Sequence, residues 1–332
     1  MTRAAATLVV LMLGCVASGF SSGAVASAEP QQSAFVCPMH PEVQSAVAGT
    51  CSKCGMALLP TSPPNVSAYA LELRTVPAAV TPGRPFQLLL TVRDATGALV
   101  KEFVEVHERR FHLFVISHDL EHYAHVHPEQ RGDGSWSVDV TVPASGHYKL
   151  YADFLPEGGT PQALALPLVT AGAVVAPPAA ASLTPDDILH KTLESMRVSL
   201  ELPEGGLVAG REATFTYMLT DAATRRPVTD IEPYLGAWGH SLLVSADLSH
   251  VVHAHPLESL HHGTNGAGGG PTLTFKARLP EAGKYRIWTQ VKRDGEISTV
   301  VFTVPVLPGD GQGRSTSSGN GDPHVHRHER SR

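Results

Sequence analysis

The chain has 332 residues and a formal net charge of −6. It is too long for one small domain, and it lacks the basic surplus that nucleic-acid binding needs. Hydrophobic residues make up 42% and charged residues 17%, so buried cores are feasible and wholesale disorder is not expected.

Residues 1–28 read as a signal peptide. Arg3 supplies a short positive start, and Ala4 to Val16 is a nearly unbroken apolar run too short to span a bilayer. Ala26-Ser27-Ala28 is the small-x-small pattern after which a signal peptidase cuts. A rival cut lies before Cys15, because Leu13-Gly14-Cys15 forms part of a lipoprotein signal, and it would leave a lipid anchor at Cys15. No later run reaches the roughly eighteen apolar residues of a membrane span. Export places the mature protein in the periplasm or outside the cell. Cleavage after Ala28 leaves three cysteines, an awkward number for a disulfide framework in an oxidising compartment. A metal ion would give those thiols another partner.

All three fall in residues 35–60. The segment runs Phe35-Val36-Cys37-Pro38-Met39-His40-Pro41-Glu42, then Gly49-Thr50-Cys51-Ser52-Lys53-Cys54-Gly55-Met56. The two-residue spacing of Cys51 and Cys54 lets both sulfurs face one ion, and the following Gly permits the tight turn. Cys37 and His40 complete a set of three Cys and one His, a tetrahedral zinc arrangement. Met39 and Met56 flank the thiolates, and thioether beside thiolate suits soft Cu(I). So small a module buries little core, so the metal would also organise its fold. Two other readings stand: a redox disulfide between Cys51 and Cys54, and methionines that only pack.

This segment resembles the small heavy-metal-binding domain attached to copper- and silver-exporting ATPases and to periplasmic adaptors of metal efflux pumps. The resemblance rests on Cys37-Pro38-Met39-His40-Pro41 and Cys51-Ser52-Lys53-Cys54-Gly55-Met56. It implies metal binding at Cys37, His40, Cys51 and Cys54, with Met39 and Met56 close by, and a metal efflux system as partner. Ser52 replaces the Pro usual after the first Cys of the knuckle, and Phe35-Val36 stands where Tyr is commoner. Neither change removes a candidate ligand.

Thr61-Ser62-Pro63-Pro64-Asn65 is a linker by composition. Residues 68–170 then alternate as strands do, notably at Phe86 to Val92, His112 to Ile116, Trp136 to Val142 and Tyr148 to Tyr151. Residues 171–196 read as a second linker, Ala-, Val- and Pro-rich, closed by a short helix that Thr184 caps and Pro185 begins. Strand signals return over 197–306, and residues 307–332 read as a disordered tail.

The two strand-rich segments repeat each other. With His112 set against His240, an offset of 128 holds without a gap through Pro128 and Pro256. Pro143 to Lys149 parallels Pro280 to Arg286 at an offset of 137, so the second copy carries an insertion, placed at Asn265 to Gly270. Copies of about 100 residues with short strands and Gly/Pro turns predict β-sandwiches. The expected fold is mainly β: a small metal-binding N-terminal module followed by two tandem β-sandwich domains. The copies also resemble, loosely, cupredoxin-like or immunoglobulin-like secreted domains that accompany metal-resistance proteins.

Each copy holds a His-x-x-His-x-His-Pro cluster, at His122, His125 and His127 and at His250, His253 and His255. Residues i and i+2 of a strand share a face, so His125 points with His127 and His253 with His255. A hairpin turn around Asp119 or Asp247 would return His112 or His240 beside them. Three imidazoles meeting in this way can bind Zn(II) or Cu(II); alternatively, the histidines hold the turn by hydrogen bonds. Residues 68–332 contain no Cys, which excludes a blue-copper site. His324, His326 and His328 in the tail offer at most weak scavenging.

These features predict an exported heavy-metal-binding protein, a chaperone or sink for copper, silver or zinc, binding Cu(I) or Zn(II). A metal-dependent enzyme using the His clusters and a structural tandem sandwich with a metal-stabilised cap are the alternatives. Beyond Asp119 and Glu121 no acid–base pair accompanies the clusters, and Glu121 becomes Ser249 in the second copy.

Overall fold

A computed structural model describes residues 35–37, 43–51, 58–60, 69–173, 180–258, 260 and 268–309. The expected signal peptide, the alternative lipidation site at Cys15 and the tail from residue 310 lie outside the described residues, as do Met39, His40, Cys54 and Met56. Among the described residues there is no α-helix, and none long and apolar enough to cross a membrane.

The N-terminal module is a three-stranded antiparallel sheet of β1 (Phe35–Val36), β2 (Gln44–Ser45) and β3 (Leu59–Pro60), with β1 in the middle. Cys37, Cys51 and Leu58 form its small core.

The first repeat contributes β4 (Ala70–Val76), β5 (Phe86–Arg93), β6 (Phe103–Val104), β7 (Phe111–Ser117), β8 (Tyr123–Val126), β9 (Glu129–Gln130), β10 (Trp136–Val140), β11 (His147–Pro156) and β12 (Gln162–Val169). One sheet has the order β4-β5-β10-β9. The other runs β12-β11-β7-β8, with β6 also on β11. Phe86, Leu88, Leu90 and Val92 alternate inward along β5 and meet Phe111, Leu113, Val115, Leu150 and Phe154 of the facing sheet. This is a β-sandwich: period-two alternation points one face of each sheet at the other.

The second repeat contributes β13 (His190–Thr192), β14 (Met196–Glu201), β15 (Leu207–Val208), β16 (Glu212–Asp221), β17 (His240–Ser245), β18 (Val251–Ala254), β19 (Thr272–Arg278), β20 (Gly283–Arg293) and β21 (Glu296–Leu307). Its sheets are β13-β14-β16-β19 and β15-β21-β20-β17-β18. The register repeats at both offsets: Phe114 pairs with His125 and Leu242 with His253, while His112 pairs with Asp153 and His240 with Gln290. The offset changes between β18 and β19; of the expected insertion, residues 265–267 lie outside the described residues.

The helix expected after Thr184 does not form. Asp186 accepts the Thr303 amide at 2.8 Å and Lys191 Nζ at 2.6 Å, and its own amide donates to the Thr303 carbonyl at 2.8 Å. The segment is thereby tied to β21 and continues as β13 at the edge of β14. Sheet hydrogen bonds take the groups that a first helical turn would have left to a cap.

A feature absent from the strand patterns is that the two sandwiches pack on each other. Every residue of β7 and of β17 is buried, because each strand faces its own core on one side and the other repeat on the other. Phe114, Ile116, Leu120 and Tyr151 meet Leu242, Val244, Leu248 and Trp288 in one cluster. These are equivalent residues at offsets of 128 and 137, so the interface is pseudo-twofold. Its polar contacts exchange in the same way: Lys149 Nζ donates to the Leu248 carbonyl at 2.5 Å, and Arg286 Nε to the Leu120 carbonyl at 3.2 Å. Arg286 also pairs with Glu121. Both leucines have positive φ, 62° and 59°, at the hairpin tips where Asp119 and Asp247 accept the amides of Glu121 and Ser249.

Candidate metal centres

In the N-terminal module Cys37 follows β1 and its amide donates to the Val43 carbonyl at 3.0 Å, while Leu58 N–H donates to the Gly49 carbonyl at 2.8 Å. Cys37 and Cys51 are both buried, in one cluster with Leu58. Two buried cysteines in a core this small fit a thiolate metal site. The other four predicted ligands lie outside the described residues.

The larger feature is histidine. Hairpin β7–β8 brings His112 back beside His125 and His127, and hairpin β17–β18 brings His240 beside His253 and His255. In each trio the donor nitrogens all lie within 4.8 Å of one another. His125 Nε2 stands 3.2 Å from both His112 Nδ1 and His127 Nε2, and His253 Nε2 stands 3.3 Å from His240 Nδ1. Two imidazole nitrogens bound to one tetrahedral ion at about 2.0–2.1 Å would stand about 3.3 Å apart.

The opposite ring nitrogens identify what these facing atoms are. His112 Nε2 lies 3.0 Å from the Val106 carbonyl, and His240 Nε2 lies 2.8 Å from the Tyr234 carbonyl. His125 Nδ1 lies 3.1 Å from Gln290 Oε1, and His253 Nδ1 lies 3.2 Å from Asp153 Oδ2. Each partner is an acceptor, so each of these nitrogens carries the proton and donates. A neutral imidazole has one donor and one acceptor, so the facing nitrogens of His112 and His125, and of His240 and His253, present lone pairs to one another. Lone pairs held this close repel unless a cation sits among them. The donor set therefore fits a metal ion, with its outer partners already in place.

Electrostatics keeps the rings neutral, the form that ligates. Burial, aided by the other histidines, holds His125, His253 and His255 well below the usual imidazole range. Burial and neighbouring His112 bring His127 down to about 3, and burial brings His240 down to about 4. His112 is lowered for the same reason, and burial raises Asp153.

The trios do not stand apart. Ring centroids of His125 and His253 are 5.7 Å apart, as are those of His112 and His253. The two hairpins meet at the pseudo-twofold interface and form one six-histidine centre. Its outer bonds cross between repeats: Gln290 of the second repeat holds His125, and Asp153 of the first holds His253. Reading the sequence missed both residues, and also His107, whose ring stacks on His255 at 3.7 Å and 13°. Asp153 and Gln290 sit opposite each other at the offset of 137, and that was the signal for them. His107 stands opposite Leu235 at the offset of 128 and is masked by the mismatch.

Gly239 precedes His240 where the first repeat has Phe111. A Cβ there would meet the Gln290 carbonyl at 2.8 Å. Gly239→Ala is expected to cost about 1–3 kcal/mol and to disturb the Gln290 bond to His125. A thermal melt with and without Zn(II) checks this; an unchanged melting temperature would contradict the packing argument.

One family model, a domain of unknown function termed DUF8832, matches residues 65–168 and 191–307, more than half of the chain. The chain belongs to the DUF8832 family. The two matched segments are the two sandwiches, so the six-histidine centre lies wholly within the DUF8832 pair. The heavy metal binding domain model matches residues 34–61, which supports heavy-metal binding by the N-terminal module and a metal ion as partner. No curated protein matches the chain. It is similar to the FdeC adhesin of Escherichia coli at 13% identity over 73% of this chain and 66% of that one, TM-score 0.23. A two-domain fibronectin type-III segment of chicken tenascin is similar at 11% identity over 72% and 99%, TM-score 0.21. A Salmonella alpha-2-macroglobulin mutant is similar at 13% identity over 75% and 15%, TM-score 0.23. The chain thus spans just under two thirds of the adhesin and a small part of the macroglobulin. Scores this low establish no domain equivalence.

Proposed function

We propose that this DUF8832 protein is an exported heavy-metal-binding protein, a chaperone or sink for copper, silver or zinc that works beside a metal efflux system in the periplasm or outside the cell. Two kinds of site divide the work by softness. Cys37, His40, Cys51 and Cys54, with Met39 and Met56 close by, suit Cu(I) or Ag(I), and the imidazole trios suit Zn(II) or Cu(II). The observation that carries the reading is the convergence of imidazole lone pairs at 3.2–3.3 Å while their far nitrogens are committed to acceptors.

Binding rather than catalysis is favoured by the surroundings. The cavity lined by His112, Asp153 and His253 holds about 10 Å³, room for about one water. A groove of about 250 Å³ passes the outer side of His253, but its only carboxylate, Asp153, is engaged with that histidine. An enzyme would need an open metal position and a spare acid or base.

An anaerobic titration of the mature chain tests the division. Cys51→Ser with Cys54→Ser is expected to abolish tight Cu(I) binding and to leave Zn(II) uptake by the trios. His125→Ala with His253→Ala is expected to do the reverse. Zn(II) stoichiometry unchanged by the histidine substitutions would sink the reading of the DUF8832 pair, and unchanged Cu(I) affinity in the cysteine variant would sink that of the module.

A further inference from the structure

The two trios sit on equivalent hairpins, yet their outer partners differ in kind. His125 donates to the neutral amide oxygen of Gln290, and His253 donates to the carboxylate of Asp153. Gln290 and Asp153 are equivalent residues, each paired across its own sheet with the first histidine of its own trio. Each nevertheless serves the middle histidine of the other repeat. A carboxylate accepting the N–H of a metal-ligating imidazole pulls electron density onto the ligating nitrogen and fixes the ring, whereas an amide fixes the ring alone. A second difference acts on the same side. His107 lies flat against His255 at 3.7 Å and fixes its plane, and Leu235 stands in that position in the first repeat. His255 Nε2 is shut away from solvent with no hydrogen-bond partner among the described residues, and an ion among the trio nitrogens would satisfy it.

We propose that the two trios are inequivalent metal sites that fill in a fixed order, His240, His253 and His255 first, and that Asp153 is the positioning residue that sets the order. The inference rests on the reading of the trios as metal sites. It makes the second-repeat ion the resident one and the first-repeat ion the exchangeable one. It also makes the first ion a clamp between the repeats, because Asp153 comes from one sandwich and the ligand it holds from the other.

The test uses the mature full-length chain with Cys51→Ser and Cys54→Ser, so that only histidine sites report, and Zn(II) competition against a chromophoric chelator. His125→Ala leaves the second-repeat site, and His253→Ala leaves the first. The expected result is binding at least tenfold tighter in the His125→Ala background than in the His253→Ala background. Asp153→Asn, which keeps the shape and removes the charge, should weaken the second-repeat site by about 10–100-fold and the first, whose His112 lies in the same cavity without a hydrogen bond to Asp153, by clearly less. Gln290→Glu should tighten the first-repeat site, a gain that a merely structural role would not produce. Equal affinities in the two backgrounds, or an equal loss in both from Asp153→Asn, overturn the ordering while leaving the trios as metal sites. Absence of Zn(II) binding in both backgrounds overturns the metal reading and the ordering with it.

Discussion

Acidifying the metal-free protein from pH 7.5 to pH 5 is expected to destabilise it by several kcal/mol. The histidines of the centre are buried as neutral rings, with His127 brought down to about 3 and His240 to about 4. In the unfolded chain each takes a proton near pH 6.5. Below that value the unfolded state binds more protons than the folded state, so stability falls as pH falls. Each such group contributes up to about 1.4 kcal/mol per pH unit, between about 6.5 and its folded value, and stability is full only above that window. Coupling among the rings makes the total less than the sum of isolated groups, yet even two of them remove about 3–4 kcal/mol by pH 5, a large share of an ordinary domain's stability. Urea unfolding with a chelator present, repeated at each pH, measures the effect. A midpoint that stays constant from pH 7.5 to 5 would mean that the histidines are not buried as neutral groups. Bound Zn(II) should shift the loss to lower pH, because a proton must then displace the ion from the same lone pair.

Trp288→Ala is expected to cost about 3–5 kcal/mol and to weaken Zn(II) binding together with stability. Trp288 is 2% exposed, and that burial is supplied by the other repeat: its ring stacks on Tyr123 at 5.1 Å and 9°. It lies in the interface cluster with Phe114, Tyr151 and Leu242. Loss of the ring should let the sandwiches separate, which breaks the Gln290 bond to His125 and the Asp153 bond to His253. Phe302→Ala supplies the comparison, because Phe302 is fully buried inside the second sandwich alone. It should cost similar stability while Zn(II) affinity in the surviving folded protein stays close to wild type. An interface substitution that costs under 1 kcal/mol, or two variants with the same loss of Zn(II) affinity, would argue against docking as the support of the centre.

Some of this was legible along the chain because it depends on local periodicity. Alternation gave β5 and β10, where one face is buried and the other partly exposed. The i, i+2 spacing put His125 with His127, and the turn residues around Asp119 closed the hairpin that returns His112. The repeat was legible because equivalent residues recur at constant offsets. The short helix was misread for a physical reason: Thr184 and Pro185 are local start signals, and the partner that overrode them, the backbone of Thr303, lies more than a hundred residues away.

By itself the sequence determined that each DUF8832 copy folds its own hairpin of three histidines and that a separate cysteine module precedes them. Those outcomes follow from neighbours within a few residues and from one sheet face at a time. That the two hairpins meet, that Asp153 and Gln290 are exchanged between them, and that His107 joins one side was decided only by the tertiary structure. The reason lies in β7 and β17. Their outer faces carry Phe114, Ile116, Leu242 and Val244, apolar positions that periodicity marks as buried without saying against what. Only docking of the two sandwiches supplies the partner, and with it the low-dielectric setting that keeps six imidazoles neutral and aimed at one another.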